Sequence, residues 1–288
     1  MSTASPLEPL VRPGHGRGLA DVPRHRYLLR LLVNKEIQVR YRGSILGLVW
    51  SYIKPGVQFL VFYLALGLFL GLNKNMENYP VYLFSGIVLI NFFGEAFGNG
   101  ARAMVANGAL IKKIYLPREL FSVSTVWVAL IHFLPQLLVL LLACLLVGWH
   151  PSLLQLAVIV VAMLIMVLLS AGLGLVFGVA NVFFRDSENI VDLLTMVATW
   201  LSPVLYVWTM VAQELPGWAF PLYMANPITV AVELFHYGFW QPTTSGTAPI
   251  PPHLLSLWTP VALGISLVVL VLGDLMFRRL EGRFAQEL

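Results

Sequence analysis

The sequence has few charges for its length, and that scarcity excludes a soluble globular protein. Only 11% of its 288 residues are Asp, Glu, Lys or Arg, whereas 58% are hydrophobic, and the mean hydropathy is +0.80. One soluble core cannot enclose so much apolar surface. We therefore predict an all-α integral membrane protein that crosses a bilayer several times.

Cysteines and clusters of reactive side chains are also scarce. The single cysteine, Cys144, excludes an intrachain disulfide and a cysteine-rich metal site. The six histidines never stand at the spacing of a metal-binding pair. No lysine follows a glycine, so the sequence has no phosphate-binding Walker A loop. We predict no catalytic residue, metal or cofactor in this chain and expect ATP and Mg²⁺, if used, to bind a separate ATPase.

Apolar runs long enough to cross a bilayer, about 20 residues each, recur along the sequence. Six transmembrane helices are predicted, at residues 46–72, 79–98, 120–147, 153–184, 190–211 and 254–277. Of the 18 Lys and Arg residues, only Lys74 falls in an outer segment, so the positive-inside rule places both termini in the cytosol. Because these cations cluster at span ends, the net charge of +4 does not indicate nucleic-acid binding.

The N-terminal region divides into a tail and a helix. Residues 1–23 contain Pro, Arg and Gly but no apolar run, which predicts a disordered cytosolic tail without a cleavable signal peptide. Residues 24–42 place Leu28 and Leu32 on one helical face with Arg30 opposite, which predicts an interfacial helix. The alternative is a helix that only carries positive charge at the inner surface.

Two longer connections have opposite character. The inner loop at 101–119 carries several Lys and Arg residues and is predicted to be cytosolic, with a short helix before Pro117. The outer segment 212–253 has neither Lys nor Arg, and its aromatic, apolar stretch is interrupted by prolines. We predict short helices there that re-enter the outer leaflet without spanning it.

Glycine and proline predict two details within the spans. Gly174 and Gly178, one turn apart in the fourth span, would allow another helix to approach the backbone closely. Pro203 lies in the fifth span, where loss of a backbone hydrogen bond predicts a kink.

Several motifs resemble those of one family. They are RYRGSILGLVWSYIKP at 40–55, NGALIKKIYLPR at 107–118, FRD at 184–186, SPVLY at 202–206, NPIT at 226–229 and FRRLEGRF at 277–284. Together they resemble the permease subunits of ABC exporters for O-antigen, teichoic acid and related polysaccharides, a branch of the type-2 ABC permeases. The resemblance covers about residues 24–288, which would form a single permease domain.

This resemblance implies a homodimer that binds two ATPase subunits at its inner face, with a cytosolic coupling helix in the inner loop. The implied ATPase-docking residues are Leu110, Ile111, Lys112, Lys113, Ile114, Tyr115, Arg185 and Asp186. The first and fifth spans would line the channel, with Tyr52, Phe59, Tyr63, Trp200 and Tyr206 as candidate sugar-stacking residues. The alternative for these aromatics is ordinary packing and the interfacial belt. The implied outer gate contains Trp218, Asn226, Pro227 and Glu233.

The resemblance implies outward movement of a lipid-linked polysaccharide across a bacterial plasma membrane, driven by ATP hydrolysis in the partner. The N-terminal half resembles actinobacterial versions of the family, which implies a cell-wall galactan as cargo. Two alternatives stay open, a drug or small-lipid exporter of the same permease type and an integral membrane glycosyl- or acyltransferase. A transferase needs convergent polar groups at one membrane face, and Glu95, Glu214 and Glu233 form no such cluster by sequence.

Overall fold

The computed structural model describes residues 18–113, 116–246 and 248–288, and it is helical, with no strand in these ranges. The principal helices are α1 (Arg26–Tyr41), α2 (Gly47–Phe69), α3 (Tyr79–Ala106), α4 (Glu119–Leu146), α5 (Leu153–Phe183), α6 (Ser187–Leu201), α7 (Trp208–Glu214), α8 (Ala219–Ala225), α9 (Pro227–Phe235) and α10 (Leu254–Arg283). Short helical segments lie at Gly18–His25, Leu72–Asn75, Gly108–Ile111 and Phe284–Glu287. The all-α prediction is confirmed for the described residues.

Five of these helices, α2, α3, α4, α5 and α10, are long and apolar enough to cross a membrane. They correspond to the first four predicted spans and the last one. The second runs farther than predicted, to Ala106 instead of residue 98. A total of six spans, which would include the predicted fifth span at 190–211, and the cytosolic placement of both termini stay predictions.

The predicted fifth span is interrupted in the structure. Helix α6 has 15 residues, a length of about 22 Å that is shorter than the hydrocarbon core. The chain then leaves helical geometry until α7 begins, so the kink predicted at Pro203 is instead a helix end. The single hydroxyl hydrogen of Tyr82 is shared between the carbonyl oxygens of Pro203 and Tyr206, which lie 2.9 and 2.7 Å from the hydroxyl oxygen. These bonds satisfy carbonyl groups in the non-helical segment and stabilise the break.

Of the predicted tail at 1–23, residues 1–17 lie outside the described residues. Its last part is ordered, because residues 18–23 belong to the 3-10 helix Gly18–His25. The Leu19 amide donates to Asp274 Oδ1 at 2.9 Å, which connects this segment to α10. The domain boundary at residue 24 stays a prediction, although residues 18–23 already contact the permease helices.

Helix α3 lies at the centre of the bundle, with most of its residues buried against α4, α5 and α6. Its backbone meets that of α5 at a glycine crossing. A Cβ on Gly174 would lie 3.3 Å from the Gly100 Cα, and one on Gly178 would lie 3.3 Å from the Gly100 oxygen. The close approach predicted for this glycine pair is confirmed, and the partner is α3.

A second glycine crossing joins α5 to α10. A Cβ on Gly273 would lie only 2.6 Å from the Gly172 carbonyl oxygen. A side chain at either position would push the two helices apart. Glycine therefore fixes α5 between α3 and α10.

The outer segment is a packed part of the fold. All nine residues of α9 are buried, and α9 packs against α5, α10 and α3. The short helices α7, α8 and α9 agree with the prediction that this segment is not a free loop. Their re-entry into the outer leaflet stays a prediction.

Candidate functional site

A polar cavity of about 780 Å³ opens between α2 and the pair α3 and α4, with the end of α1 at its rim. Its lining residues are Arg40, Tyr41, Ser44, Trp50, Ser51, Lys54, Pro55, Gln58, Asn91, Glu95, Asn99, His132 and Gln136. The cavity thus combines residues from one surface helix and three spans. Most of its lining side chains are polar, although the surrounding helices are apolar.

The rim is shaped by the turn between α1 and α2. Gly43 and Gly47 have φ angles of 76° and 49°, in the left-handed region that favours glycine. A Cβ on either residue would meet no atom within 4 Å, so backbone conformation, not space, selects glycine here. The Gly47 amide donates to Ser44 Oγ at 3.0 Å. The two glycines of the 40–55 motif therefore direct the chain from the surface helix into the first span.

An ion pair and a histidine hold the end of α1 against α3 and α4. Arg40 pairs with Glu95, and His132 Nδ1 lies 2.6 Å from Glu95 Oε1. On the other side of the imidazole ring, His132 Nε2 lies 2.9 Å from the Tyr41 hydroxyl, which lies 3.0 Å from Ser51 Oγ. The contacts form one continuous chain of hydrogen-bonding groups across four elements. The His132 side chain, at the centre of this network, is 4% exposed, whereas Arg40 and Glu95 are partly exposed to the cavity.

Amide side chains continue the polar lining into the middle of the bundle. Gln58, Asn91 and Gln136 each lie near the midpoint of their helix, in α2, α3 and α4. Asn91 Nδ2 donates to Gln58 Oε1 at 3.1 Å, and Gln136 Nε2 donates to the His132 carbonyl oxygen at 3.1 Å. Amides at lipid depth are costly unless they are paired or face a polar cavity. This clustering indicates that the cavity contains water or a polar ligand.

The predicted ATPase-docking residues divide into two groups. Ile111 is 8% exposed and packs with Leu110 in an inner apolar cluster that includes Leu32 and Phe284. Ile111 is therefore covered by the chain's own core and Leu110 partly so, and their role in docking stays a prediction. Ile114 and Tyr115 lie outside the described residues. Four charged members are exposed: Lys112, Lys113, Arg185 and Asp186.

The aromatics predicted on the substrate path also divide by environment. Phe59 and Tyr63 stack with each other at 5.7 Å between ring centroids and pack against α3 through Phe84 and Tyr79. These contacts are intramolecular packing, the alternative to sugar stacking, and a role of the two rings in the substrate path stays a prediction.

Tyr52 and Trp200 are 40% and 57% exposed, so they keep free faces. Trp200 lies edge-on to Phe62 with centroids 6.4 Å apart, which places α6 beside α2. Tyr206 is partly buried and donates its hydroxyl to the Trp200 carbonyl oxygen at 2.8 Å.

The residues of the predicted outer gate have different local roles. Trp218 is 73% exposed. Asn226 caps α9, its Oδ1 accepting the Ile228 amide at 3.1 Å, and Pro227 is the first residue of that helix. Glu233 is 4% exposed, and its carboxylate oxygen lies 4.0 Å from His236 Nδ1. Asn226 and Pro227 thus have a structural role, because they form the start of a buried helix.

Sequence reasoning missed the centre of the cavity. The sequence was searched for a cluster of acidic residues, which Glu95 does not form, and for metal-binding pairs of histidines, which His132 does not form. Both residues nevertheless lie within predicted spans. Ionisable residues at membrane depth are by themselves a signal of function. That signal identifies the two residues but not their contact, since 37 positions separate them in the chain.

The five long apolar helices define a multi-pass membrane protein, and comparison with known proteins specifies its class. The profile of the ABC-2 type transporter family matches residues 27–240. The chain therefore belongs to the ABC-2 type transporter family, as the motifs predicted, and it is a transporter permease of the inner membrane.

Individual relatives carry more specific names. The chain is 26% identical to the O-antigen export system permease protein RfbA of Klebsiella pneumoniae over 259 residues, which are 90% of this chain and 94% of the relative. It is 29% identical to RfbA of Myxococcus xanthus, covering 69% of this chain and 75% of the relative. It is 22% identical to the polysialic acid transport protein KpsM of Escherichia coli, covering 69% and 76%.

Proposed function

We propose that this chain is the membrane permease of an ABC exporter that moves a lipid-linked polysaccharide outward across the plasma membrane. The observation that carries the proposal is the similarity to RfbA of Klebsiella pneumoniae, which extends over nearly the whole of both chains. The cargo is an O-antigen-like polymer, and we propose a cell-wall galactan as the specific case. Energy comes from ATP hydrolysis in a separate subunit, which binds the ATP and Mg²⁺.

A homodimer in which α2 and α6 face the partner copy is consistent with the surface of the single chain. Both helices expose large apolar side chains, such as Leu60 and Leu64 in α2 and Leu193 and Val197 in α6. The contact between Phe62 and Trp200 keeps the two helices side by side. Two copies brought together along this surface would enclose a path between them.

The inner ends of the helices support a docking surface for the ATPase. Arg102 pairs with Asp192 at 2.6 Å and with Glu188 at 3.5 Å, so the inner end of α3 is tied to the start of α6. Movement of one inner helix would therefore displace the other. Arg185 and Asp186 are exposed immediately before α6, where a docked subunit could act on this connection.

Inside-out membrane vesicles that contain the chain and its ATPase test the proposal. We expect ATP-dependent uptake of a radiolabelled lipid-linked oligosaccharide, and none with a non-hydrolysable ATP analogue. Uptake of a dye or a short-chain lipid but not of the oligosaccharide would favour the drug or small-lipid exporter. Glycosyl or acyl transfer by the purified chain without ATPase would favour the membrane enzyme.

A further inference from the structure

We propose that the polar cavity binds the sugar–phosphate junction of the lipid-linked substrate before it enters the transport path. This inference rests on the proposed function and specifies its recognition site. The ligand class is a sugar joined through phosphate to a lipid. A volume of about 780 Å³ lies within the usual range for small-ligand sites, and it accommodates a headgroup but not a folded polymer.

The charge of the lining favours an anion. Arg40 is already paired with Glu95, whereas Lys54 makes no ion pair with any residue in the described part of the chain. Lys54 is exposed and borders the cavity. The Arg, Lys and Glu side chains of the lining, Arg40, Lys54 and Glu95, together carry one positive charge in excess. A phosphate at this position would pair with Lys54 without displacing the bond between Arg40 and Glu95.

The amide side chains of the lining favour hydroxyl groups. Asn99 faces the cavity, and its side chain has no hydrogen bond to another residue that the structure describes. Gln136 Oε1 is buried without a donor from the described residues. Amides both donate and accept, as sugar hydroxyls do. These groups lie on the same lining as Lys54, so one ligand with an anionic and a hydroxylated part would satisfy both.

The rim adds an apolar surface that suits the sugar or the first lipid units. Trp50 lies at the start of α2, is 43% exposed and borders the cavity. Its indole offers a flat face for stacking at the depth where tryptophan is favoured at a membrane surface. The lining thus combines an aromatic face, a cation and amides, which are the groups that the lipid, phosphate and sugar parts of one molecule would contact.

Binding to the purified full chain in detergent micelles tests this assignment. The probes are farnesyl diphosphate carrying N-acetylglucosamine, farnesyl diphosphate alone and a short-chain phosphatidylglycerol, each titrated by microscale thermophoresis. Lys54→Gln is expected to weaken binding of both diphosphates about tenfold, because a charge-assisted hydrogen bond is lost. Asn99→Ala is expected to weaken only the sugar-bearing probe, about fivefold. The matched control, Lys74→Gln, changes an exposed lysine outside the cavity and should leave all three affinities unchanged.

Three results would overturn the proposal: no binding of the diphosphates by the wild-type chain, equal affinities in all variants, or phosphatidylglycerol bound as tightly as the sugar-bearing probe. The last would show a general site for anionic lipids. The vesicle assay separates the two proposals. If Lys54→Gln exports at the wild-type rate, this cavity is not the recognition site but the exporter function stands, whereas failure of the wild type to export contradicts the function itself.

Discussion

Single residues decide how the surface helix α1 is held to the bundle. His132 contacts the Glu95 carboxylate with one ring nitrogen and the Tyr41 hydroxyl with the other. His132 Nδ1 also lies 3.0 Å from Arg40 Nη1, so the ring stands between the guanidinium, the carboxylate and the Tyr41 hydroxyl. The same carboxylate pairs with Arg40. Residues at the end of α1 thereby fix one wall of the cavity.

Removing the Tyr41 hydroxyl tests this network. Tyr41→Phe leaves the nearly buried His132 nitrogen without its partner, and we expect a loss of about 1–3 kcal/mol in stability. Unfolding of the purified chain in mixed micelles measures it. Tyr27→Phe is the matched control, because Tyr27 is on the same helix and 70% exposed. Equal stability of the two variants would show that the hydroxyl contact contributes nothing.

At the scale of helices, glycines determine which elements can touch. The crossing of α5 with α3 and with α10 depends on backbones that approach without intervening side chains. In a membrane, where apolar surfaces gain little from leaving lipid, such close packing is a main source of association. The position of α3, which supplies Asn91, Glu95 and Asn99 to the cavity, therefore depends on contacts on its opposite side.

A pair of substitutions in α10 tests the role of glycine. Gly273→Ala places a Cβ 2.6 Å from the Gly172 carbonyl oxygen, which is closer than van der Waals contact allows, and we expect a destabilisation of about 1–3 kcal/mol. Gly264→Ala, in the same helix, meets open space and should be neutral or slightly stabilising, because alanine favours the helix. The unfolding midpoints of the two variants in mixed micelles make the comparison. If Gly273→Ala is as stable as Gly264→Ala, the α5–α10 contact is not as tight as described.

At the scale of the whole molecule, the proposed docking face is also part of the folded core. Ile111 contributes to an apolar cluster with α1, α4, α5 and α10, so the coupling segment is part of the core. Lys112 and Lys113 follow it and are exposed. A subunit docked there would contact a segment joined directly to the inner ends of several spans. Ile111 therefore packs the segment against the core, and the exposed Lys112 and Lys113 can contact a partner.

The exposed lysines provide the specific test of ATPase docking. The double variant Lys112→Glu with Lys113→Glu should keep the amount of folded chain but reduce co-purification of the ATPase at least fivefold, because two favourable charges become repulsive. Lys74→Glu, in the predicted outer loop, is the control. Ile111→Asp is expected to reduce folded protein, since it buries a charge. Unchanged co-purification with the double variant would remove these lysines from the docking surface.

Local sequence determined the helices, the positions of the principal apolar spans and the glycine contact in α5. Hydropathy and glycine spacing act within one segment, so they can be read without knowing its neighbours. The motif at 40–55 likewise identified the family, and its two glycines have backbone angles that explain them. The exposed or buried state of individual residues in these segments did not follow from the pattern.

Only the tertiary structure decided which residues meet. It brought Arg40, Glu95 and His132 together from α1, α3 and α4, although 92 positions separate the first from the last. It also covered Ile111 with the inner core, turned Phe59 and Tyr63 towards α3, and ended α6 before Pro203 with the help of Tyr82. Each of these outcomes depends on a partner distant in sequence. The physical reason is that burial and hydrogen bonding are properties of pairs of elements, whereas the sequence pattern of one element specifies only its own faces.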